Sequence, residues 1–121
     1  MLNFWATDCG GCVPEIPSFI DIQKSHKEKR FTAVGVAMDI SYEGLKDSDE
    51  AWVRVRPFMA KKGINYRIAM GDDPICKAYA LNAYPATYLI DKSGRVAVAY
   101  VGAVVDKGSV ETNIKGLMLE R

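Results

Sequence analysis

The spacing of apolar and polar residues changes along the chain, and it predicts strands in some segments and helices in others. Residues 2–6 are apolar and aromatic, which is typical of a buried strand. A helix is predicted from residue 8 or 9 to about residue 26 or 27, because apolar residues recur there at roughly helical spacing. Residues 31–38 read as a second buried strand. A helix that joins two strands makes a βαβ unit with a parallel strand pair.

The rest of the chain predicts a second set of elements. Residues 39–50 are polar and read as a loop. Ser48 is a candidate cap for a helix over residues 49–62 that Gly63 ends. The remaining predictions are a strand at 65–70, a short helix at 74–81, a hairpin of 86–90 and 95–101 around the turn 91–94, and a final helix capped by Ser109 that runs to about 119.

The segment Cys9-Gly10-Gly11-Cys12 follows the first predicted strand directly. Two cysteines at this spacing lie one turn apart on the same face of a helix, so their sulfurs can bond to each other. The free N–H groups and the positive end of the helix dipole favour a thiolate at a helix N-terminus. The pattern therefore indicates a redox-active dithiol that exchanges disulfides. Pro14 and Pro17 each remove one helical hydrogen bond, so a kinked helix is expected.

Composition narrows the range of functions. The chain has 121 residues, 49% of them hydrophobic, which fits one domain spanning the whole chain. The net charge of +1 gives no sign of a nucleic-acid-binding surface or a polybasic membrane patch. No apolar run approaches the ~18 residues of a membrane span. Met1 lies inside the first predicted strand, so we expect that an N-terminal strand or anchor is missing from this chain.

Two segments together resemble the TlpA-like thiol–disulfide oxidoreductases, the redoxin branch of the thioredoxin superfamily. The first is Asn-Phe-Trp-Ala-Thr-Asp-Cys-Gly-Gly-Cys at 3–12, followed by Glu-Ile-Pro at 15–17. The second is Tyr-Pro-Ala-Thr-Tyr-Leu-Ile-Asp-Lys-Ser-Gly at 84–94. The resemblance implies an α/β thioredoxin-like fold, with a central mixed sheet flanked by helices. It also implies that residues 49–70 are the TlpA-type α-β insert.

The resemblance also assigns roles to residues. Cys9 would be the exposed attacking thiol and Cys12 the resolving thiol, with Gly10 and Gly11 leaving the space between them open. Pro85 would be a cis-proline against the dithiol, presenting the Tyr84 backbone to a substrate.

The family's partners and location follow from the same resemblance. Its members act in the bacterial periplasm or on the outer face of a membrane. They exchange electrons with extracytoplasmic protein disulfides or dithiols, apocytochromes c among them, and with a membrane-side reductant or oxidant. No cofactor and no metal is implied.

Two carboxylates next to the dithiol could set its ionisation. Glu15 lies one turn beyond Cys12, where a partly buried carboxylate could accept the Cys12 proton; the alternative is a solvated residue or a partner of the helix dipole. Asp8 stands where the family usually has Trp. It disfavours a thiolate at Cys9, and it is also a candidate N-cap. Trp5 is expected to be a core or rim aromatic that modulates the site.

Three other interpretations compete with a disulfide exchanger. A zinc site would need a second ligand pair, and only Cys76 and His26 remain for it. A thiol peroxidase of the peroxiredoxin type would have Pro and Thr or Ser where this chain has Leu2 and Ala6. The third interpretation is a binding module that has the same fold but weak redox activity. Asp8 keeps this interpretation possible, because its charge disfavours a thiolate at Cys9. Cys76 itself is expected to be a small buried apolar residue.

Overall fold

A computed structural model of the protein describes residues 1–104 and 106–119. These residues form five strands and five α-helices, with one turn of 3₁₀ helix at Val13–Glu15. The strands are β1 (Leu2–Trp5), β2 (Val34–Ala37), β3 (Arg67–Met70), β4 (Ala86–Ile90) and β5 (Val96–Val101). The helices are α1 (Ile16–His26), α2 (Asp39–Glu43), α3 (Ser48–Lys62), α4 (Asp73–Ala78) and α5 (Lys107–Leu119).

The five strands form one mixed sheet in the order β3-β2-β1-β4-β5. β1 lies at the centre, parallel to β2 and antiparallel to β4. The predicted βαβ unit and the predicted hairpin of β4 and β5 are both confirmed. The expected mixed sheet flanked by helices is therefore the observed architecture.

Both faces of β1 are buried. Successive side chains of a strand point to opposite faces, and Asn3, Phe4 and Trp5 are all buried. Phe4 packs with Val36 and Met38, in a cluster that Cys76 of α4 also contacts. Trp5 points the other way and packs with Val55 of α3. A further cluster under α1 and α5 joins Phe19, Ile22, Leu89, Val110 and Ile114. Coverage of both faces explains why residues 2–6 are apolar apart from Asn3.

Residues 39–50 are not a loop throughout, so that prediction was wrong. Asp39–Glu43 form α2, which ends at Gly44 with φ of 65°. Asp39 is the buried residue of this short helix. A five-residue helix with so little apolar surface carries no hydrophobic periodicity, which is why its sequence resembles a loop.

The N-caps of two helices also differ from the predicted ones. The Asp47 side chain accepts a hydrogen bond from the Glu50 N–H at 3.0 Å, so Asp47 caps α3 in place of Ser48. Asp106 accepts from the Ser109 N–H at 3.2 Å, and α5 begins before Ser109. In both cases the chain offers two capping residues close together, and the carboxylate, which is the stronger acceptor, takes the role.

Gly35, in β2, is expected to tolerate no side chain. A Cβ there would lie 2.8 Å from Ile68 Cδ1, 2.9 Å from Trp5 Nε1 and 3.2 Å from Tyr66 Cε2. We therefore expect Gly35→Ala to lower the free energy of unfolding by about 1–3 kcal/mol through overpacking. Urea denaturation measures the change.

Gly116 provides the matched control for that substitution. It lies in α5, is exposed, and a Cβ there would meet no atom within 4 Å. Gly116→Ala should raise stability by up to ~1 kcal/mol, because Gly is a poor helix former. Equal effects at the two positions would contradict the packing described for β2.

Candidate active site

The two cysteines of the 9–12 segment are joined by a disulfide, with their Cα atoms 5.2 Å apart. They lie in turns between β1 and the 3₁₀ helix, and not in the first turn of an α-helix as predicted. Pro14 explains the difference, because a regular helix through this segment would bring its ring against the carbonyl of Gly10. The turns remain helix-like locally: the Cys9 carbonyl accepts from the N–H groups of Cys12 at 3.1 Å and Val13 at 3.4 Å.

Both cysteines are buried in this disulfide form. Cys9 is 3% exposed and Cys12 is 2% exposed, in a cluster with Trp5, Ala37 and Val55. The expectation of an exposed Cys9 is therefore not met in the oxidised protein, because the strand and helix side chains around the bond cover it. Trp5 is a core residue, with its ring 5.5 Å from that of Phe58.

The loop before β4 lies against the dithiol segment. The peptide bond between Tyr84 and Pro85 is cis. A Cβ at Gly11 would lie 3.3 Å from Pro85 Cδ and 4.0 Å from Ala103 Cβ, whereas a Cβ at Gly10 would meet nothing within 4 Å. Gly11 thus lets the two loops approach each other, and Gly10 faces open space beside the disulfide.

Tyr84 itself turns toward α4. Its hydroxyl donates to the Cys76 sulfur at 3.7 Å, and its ring lies 5.7 Å from that of Tyr42. Burial, followed by the hydrogen bond to Cys76, raises the pKa of the Tyr84 hydroxyl. Cys76 is half-buried and has no disulfide. The side chain of Tyr84 is therefore held in place by neighbours on two helices.

Glu15 is a buried acid on the segment that carries the dithiol. It is 2% exposed and lies in the 3₁₀ helix, and its N–H donates to the Cys12 carbonyl at 3.2 Å. Its carboxylate accepts from the Val104 N–H at 2.6 Å and from Asn3 Nδ2 at 3.5 Å. Burial raises the pKa of Glu15 to about 7, against the lowering effect of those two hydrogen bonds. The solvated interpretation of Glu15 was wrong.

Asn3 is a site residue that the sequence interpretation missed. Its side chain is buried in β1 and also donates to Thr87 Oγ1 of β4 at 2.9 Å. Asn3 thereby links the central strands to Glu15. A polar residue inside an otherwise apolar strand was the available signal, because a buried amide needs hydrogen-bond partners.

Asp8 does not cap a helix, so that prediction was wrong. The 3₁₀ helix has Cys12 at its N-cap position and no side-chain cap bond. The Asp8 carboxylate instead accepts from Arg54 Nη2 of α3 at 2.9 Å, with its side chain 63% exposed. The late start of the helix leaves Asp8 too far from its first N–H groups to cap them.

A second missed residue, Asp39, anchors the start of the dithiol segment. This fully buried carboxylate accepts from the Thr7 N–H at 3.2 Å and from the Thr7 hydroxyl at 2.5 Å. Asp39 is the second residue after β2, and Thr7 is the second residue after its parallel neighbour β1. Parallel strands bring their carboxyl ends together, so the position of Asp39 after a predicted strand was the signal.

Comparison with known proteins places the chain in a family. Residues 1–99 match the model of the AhpC/TSA family, and the chain belongs to that family. It is 28% identical over 102 residues to the thiol-disulfide oxidoreductase ResA of Bacillus anthracis, covering 84% of this chain and 53% of that protein. It is 27% identical over 107 residues to the thioredoxin-like protein YneN of Bacillus subtilis, covering 88% and 58%. The redoxin resemblance is thereby confirmed, and the chain spans little more than half the length of these relatives.

Solved structures give the same fold. A thiol:disulfide interchange protein of the thioredoxin family from Chlorobium tepidum superposes with a TM-score of 0.79 at 27% identity, over 97% of this chain and 77% of that one. A thiol-disulfide isomerase from Corynebacterium glutamicum has a TM-score of 0.82 at 20% identity, over 99% and 80%. The fold is thioredoxin-like. Across residues 1–104 and 106–119, no helix has the length and apolar character needed to cross a membrane.

The burial of Glu15 predicts a specific pH dependence of stability. Its pKa is about 7 in the folded protein against an ordinary value of 4.5, so between these pH values the folded chain holds a proton that the unfolded chain has lost. The contribution of Glu15 to stability therefore falls as the pH rises from about 4.5 to about 7. We expect the free energy of unfolding of Glu15→Gln, minus that of the wild type, to increase across this window.

Guanidinium denaturation of the oxidised proteins at several pH values measures that difference. Glu28→Gln is the matched control, because Glu28 is exposed on the surface. Its difference from the wild type should stay flat over the same pH range. A flat difference for Glu15→Gln as well would show that the Glu15 carboxyl titrates as an exposed one does.

Proposed function

We propose that the protein is a thiol–disulfide oxidoreductase that works through Cys9 and Cys12. The observation that carries the proposal is the Cys9–Cys12 disulfide, whose intervening Gly11 lies against cis Pro85, with the buried acid Glu15 on the same segment. The names of its relatives in Bacillus and Chlorobium support the same reaction class.

The reaction transfers two electrons in two exchange steps. The Cys9 thiolate attacks a disulfide of the substrate, a mixed disulfide forms, and one substrate thiolate leaves. The Cys12 thiolate then attacks the Cys9 sulfur, and the second substrate thiolate leaves. The substrate ends as a dithiol and the protein as the Cys9–Cys12 disulfide. The reverse sequence oxidises a substrate dithiol.

Glu15 is proposed to handle the proton of Cys12. A buried thiol needs an acceptor before it can attack, and a carboxyl with a pKa of about 7 exchanges protons near neutral pH. The hydrogen bond between the Glu15 N–H and the Cys12 carbonyl keeps the acid one turn from the thiol. The hydrogen bonds from Val104 and Asn3 hold one carboxylate oxygen each.

The proposed substrates are extracytoplasmic proteins, apocytochromes c among them, with a membrane-side partner supplying or removing the electrons. The resemblance to the TlpA-like branch supports this location. The Tyr84 backbone beside Pro85, with Gly10 open to solvent, supports a protein chain as the substrate, since an extended segment can pair with backbone groups there.

Variants of the two cysteines test the mechanism. Cys12→Ser should trap a mixed disulfide on Cys9, because the resolving thiol is gone, whereas Cys9→Ser should abolish insulin reduction. Mass spectrometry of the trapped species and the turbidity of reduced insulin are the two measurements. Faster alkylation of Cys12 than of Cys9 in the reduced protein would reverse the assignment.

Assays of insulin reduction and of hydrogen peroxide consumption distinguish the rival functions. A thiol peroxidase would consume hydrogen peroxide with Cys9 intact and would leave insulin unreduced. A binding module would give neither reaction in the wild type. Cys76→Ser serves as the control for cysteine loss, and it should reduce insulin at the wild-type rate because Cys76 has no disulfide.

A further inference from the structure

One guanidinium on α3 faces three carboxylates beside the dithiol. Arg54 Nη2 lies 2.9 Å from Asp8 Oδ2 and 3.8 Å from Glu43 Oε1, and Arg54 Nε lies 4.0 Å from Asp39 Oδ2. Asp8 precedes Cys9 directly, and Asp39 holds Thr7 through two hydrogen bonds. Arg54 therefore contacts the dithiol segment both at its anchor and next to its first cysteine.

The charge balance at this place is unfavourable for a thiolate without Arg54. A carboxylate beside Cys9 disfavours a second negative charge, and Glu43 and Asp39 add to the negative potential. The hydrogen bond between Glu43 and Asp8, followed by desolvation and repulsion from Asp8, raises the pKa of Glu43, while Arg54 lowers it. The charges of Asp8 and Asp39 therefore disfavour the ionised form of Glu43, and the positive charge of Arg54 acts in the opposite direction.

We propose that Arg54 is a positioning residue for the dithiol. Arg54 acts on Cys9 through Asp8. Its guanidinium holds the Asp8 carboxylate toward α3 and neutralises it, so that the Cys9 thiolate forms more readily. The inference rests on the proposed disulfide exchange, because only there does the ionisation of Cys9 matter. Under this proposal, a residue of α3 helps to set the reactivity of the Cys9 thiol.

The size of the effect follows from exposure and distance. The Arg54 side chain is 34% exposed and that of Asp8 is 63% exposed, so solvent weakens the pair. An opposite charge within ~4–6 Å shifts a pKa by ~1–3 units, and an effect relayed through an exposed neighbour should be smaller. We expect Arg54→Gln to raise the pKa of Cys9 by roughly half a unit to one unit.

The test is a titration of Cys9 in the reduced protein. Thiolate absorbance in the double variant Cys12→Ser, Cys76→Ser, with and without Arg54→Gln, reports the pKa of Cys9, because Cys9 is then the one cysteine left in the sequence. Iodoacetamide alkylation at a pH well below the pKa of Cys9 should slow by about twofold to fourfold in Arg54→Gln, because the thiolate fraction falls by about threefold to tenfold while the more basic thiolate is a better nucleophile. The pKa difference should shrink at high salt, because the charges are partly exposed.

Two further variants of the charged residues complete the test. Arg56→Gln is the matched control, since Arg56 lies on the same helix with its guanidinium 5.0 Å from the Trp52 ring; it should leave the pKa of Cys9 unchanged. Arg54→Lys keeps the charge but cannot reach Asp8 and Asp39 in a fork, so an intermediate shift is expected. Urea denaturation confirms that each variant is folded.

A double-mutant cycle with Asp8→Asn distinguishes positioning from direct attraction. Asp8→Asn alone should lower the pKa of Cys9, since it removes the adjacent charge. In the Asp8→Asn background, Arg54→Gln should raise that pKa by less than half of its effect in the wild-type background. An equal shift in both backgrounds, or none in either, would overturn the proposal.

Failure of this inference is distinguishable from failure of the proposed function. An unchanged Cys9 pKa in Arg54→Gln, together with normal insulin reduction, would reject only the role of Arg54. Absence of insulin reduction in the wild type would reject the disulfide exchange, while the titration would still report whether Arg54 acts on the thiol.

Discussion

The pairing of β1 with β2 and β4 at the centre of the sheet is the constraint on which the site depends. β1 is parallel to one neighbour and antiparallel to the other. At its carboxyl end, therefore, it meets the end of β2, which leads into Asp39, and the beginning of β4, which follows Pro85. The dithiol leaves β1 at this same end. Three segments distant in sequence thus converge because one short strand has two partners of opposite direction.

The degree of burial then determines the ionisation and accessibility of the groups that meet at this end of β1. Glu15 is removed from water, yet two hydrogen bonds hold its carboxyl, so its pKa rises to about 7 without the residue losing its position. The disulfide is covered by Trp5, Ala37 and Val55. Asp8, by contrast, stays largely in water and pairs with Arg54. The two carboxylates that flank the dithiol in sequence consequently meet opposite environments, which the spacing of residues along the chain does not reveal.

Polar groups inside the sheet connect these environments. Asn3 joins β1, β4 and Glu15, and Asp39 joins α2 to Thr7. Each is a buried polar side chain with its hydrogen bonds made, which is the condition for keeping such a group in a core. These hydrogen bonds offset the cost of burying the two side chains, and they also fix the position of the segments around the dithiol. Substitutions at either residue would act on the site without touching sulfur.

The sequence by itself determined the order of the strands and of the helices other than α2, together with the hairpin and the dithiol spacing, because periodicity, turn residues and cysteine spacing are local properties. The proline loop opposite the dithiol was predicted from the family resemblance. The sequence also singled out Glu15 and Asp8, though not their environments. Only the tertiary structure decided that Glu15 is buried, that Asp8 pairs with Arg54 instead of capping a helix, and that Asn3 and Asp39 belong to the site. Burial and charge pairing depend on residues brought together from distant parts of the chain, and no local pattern records which residue will meet which.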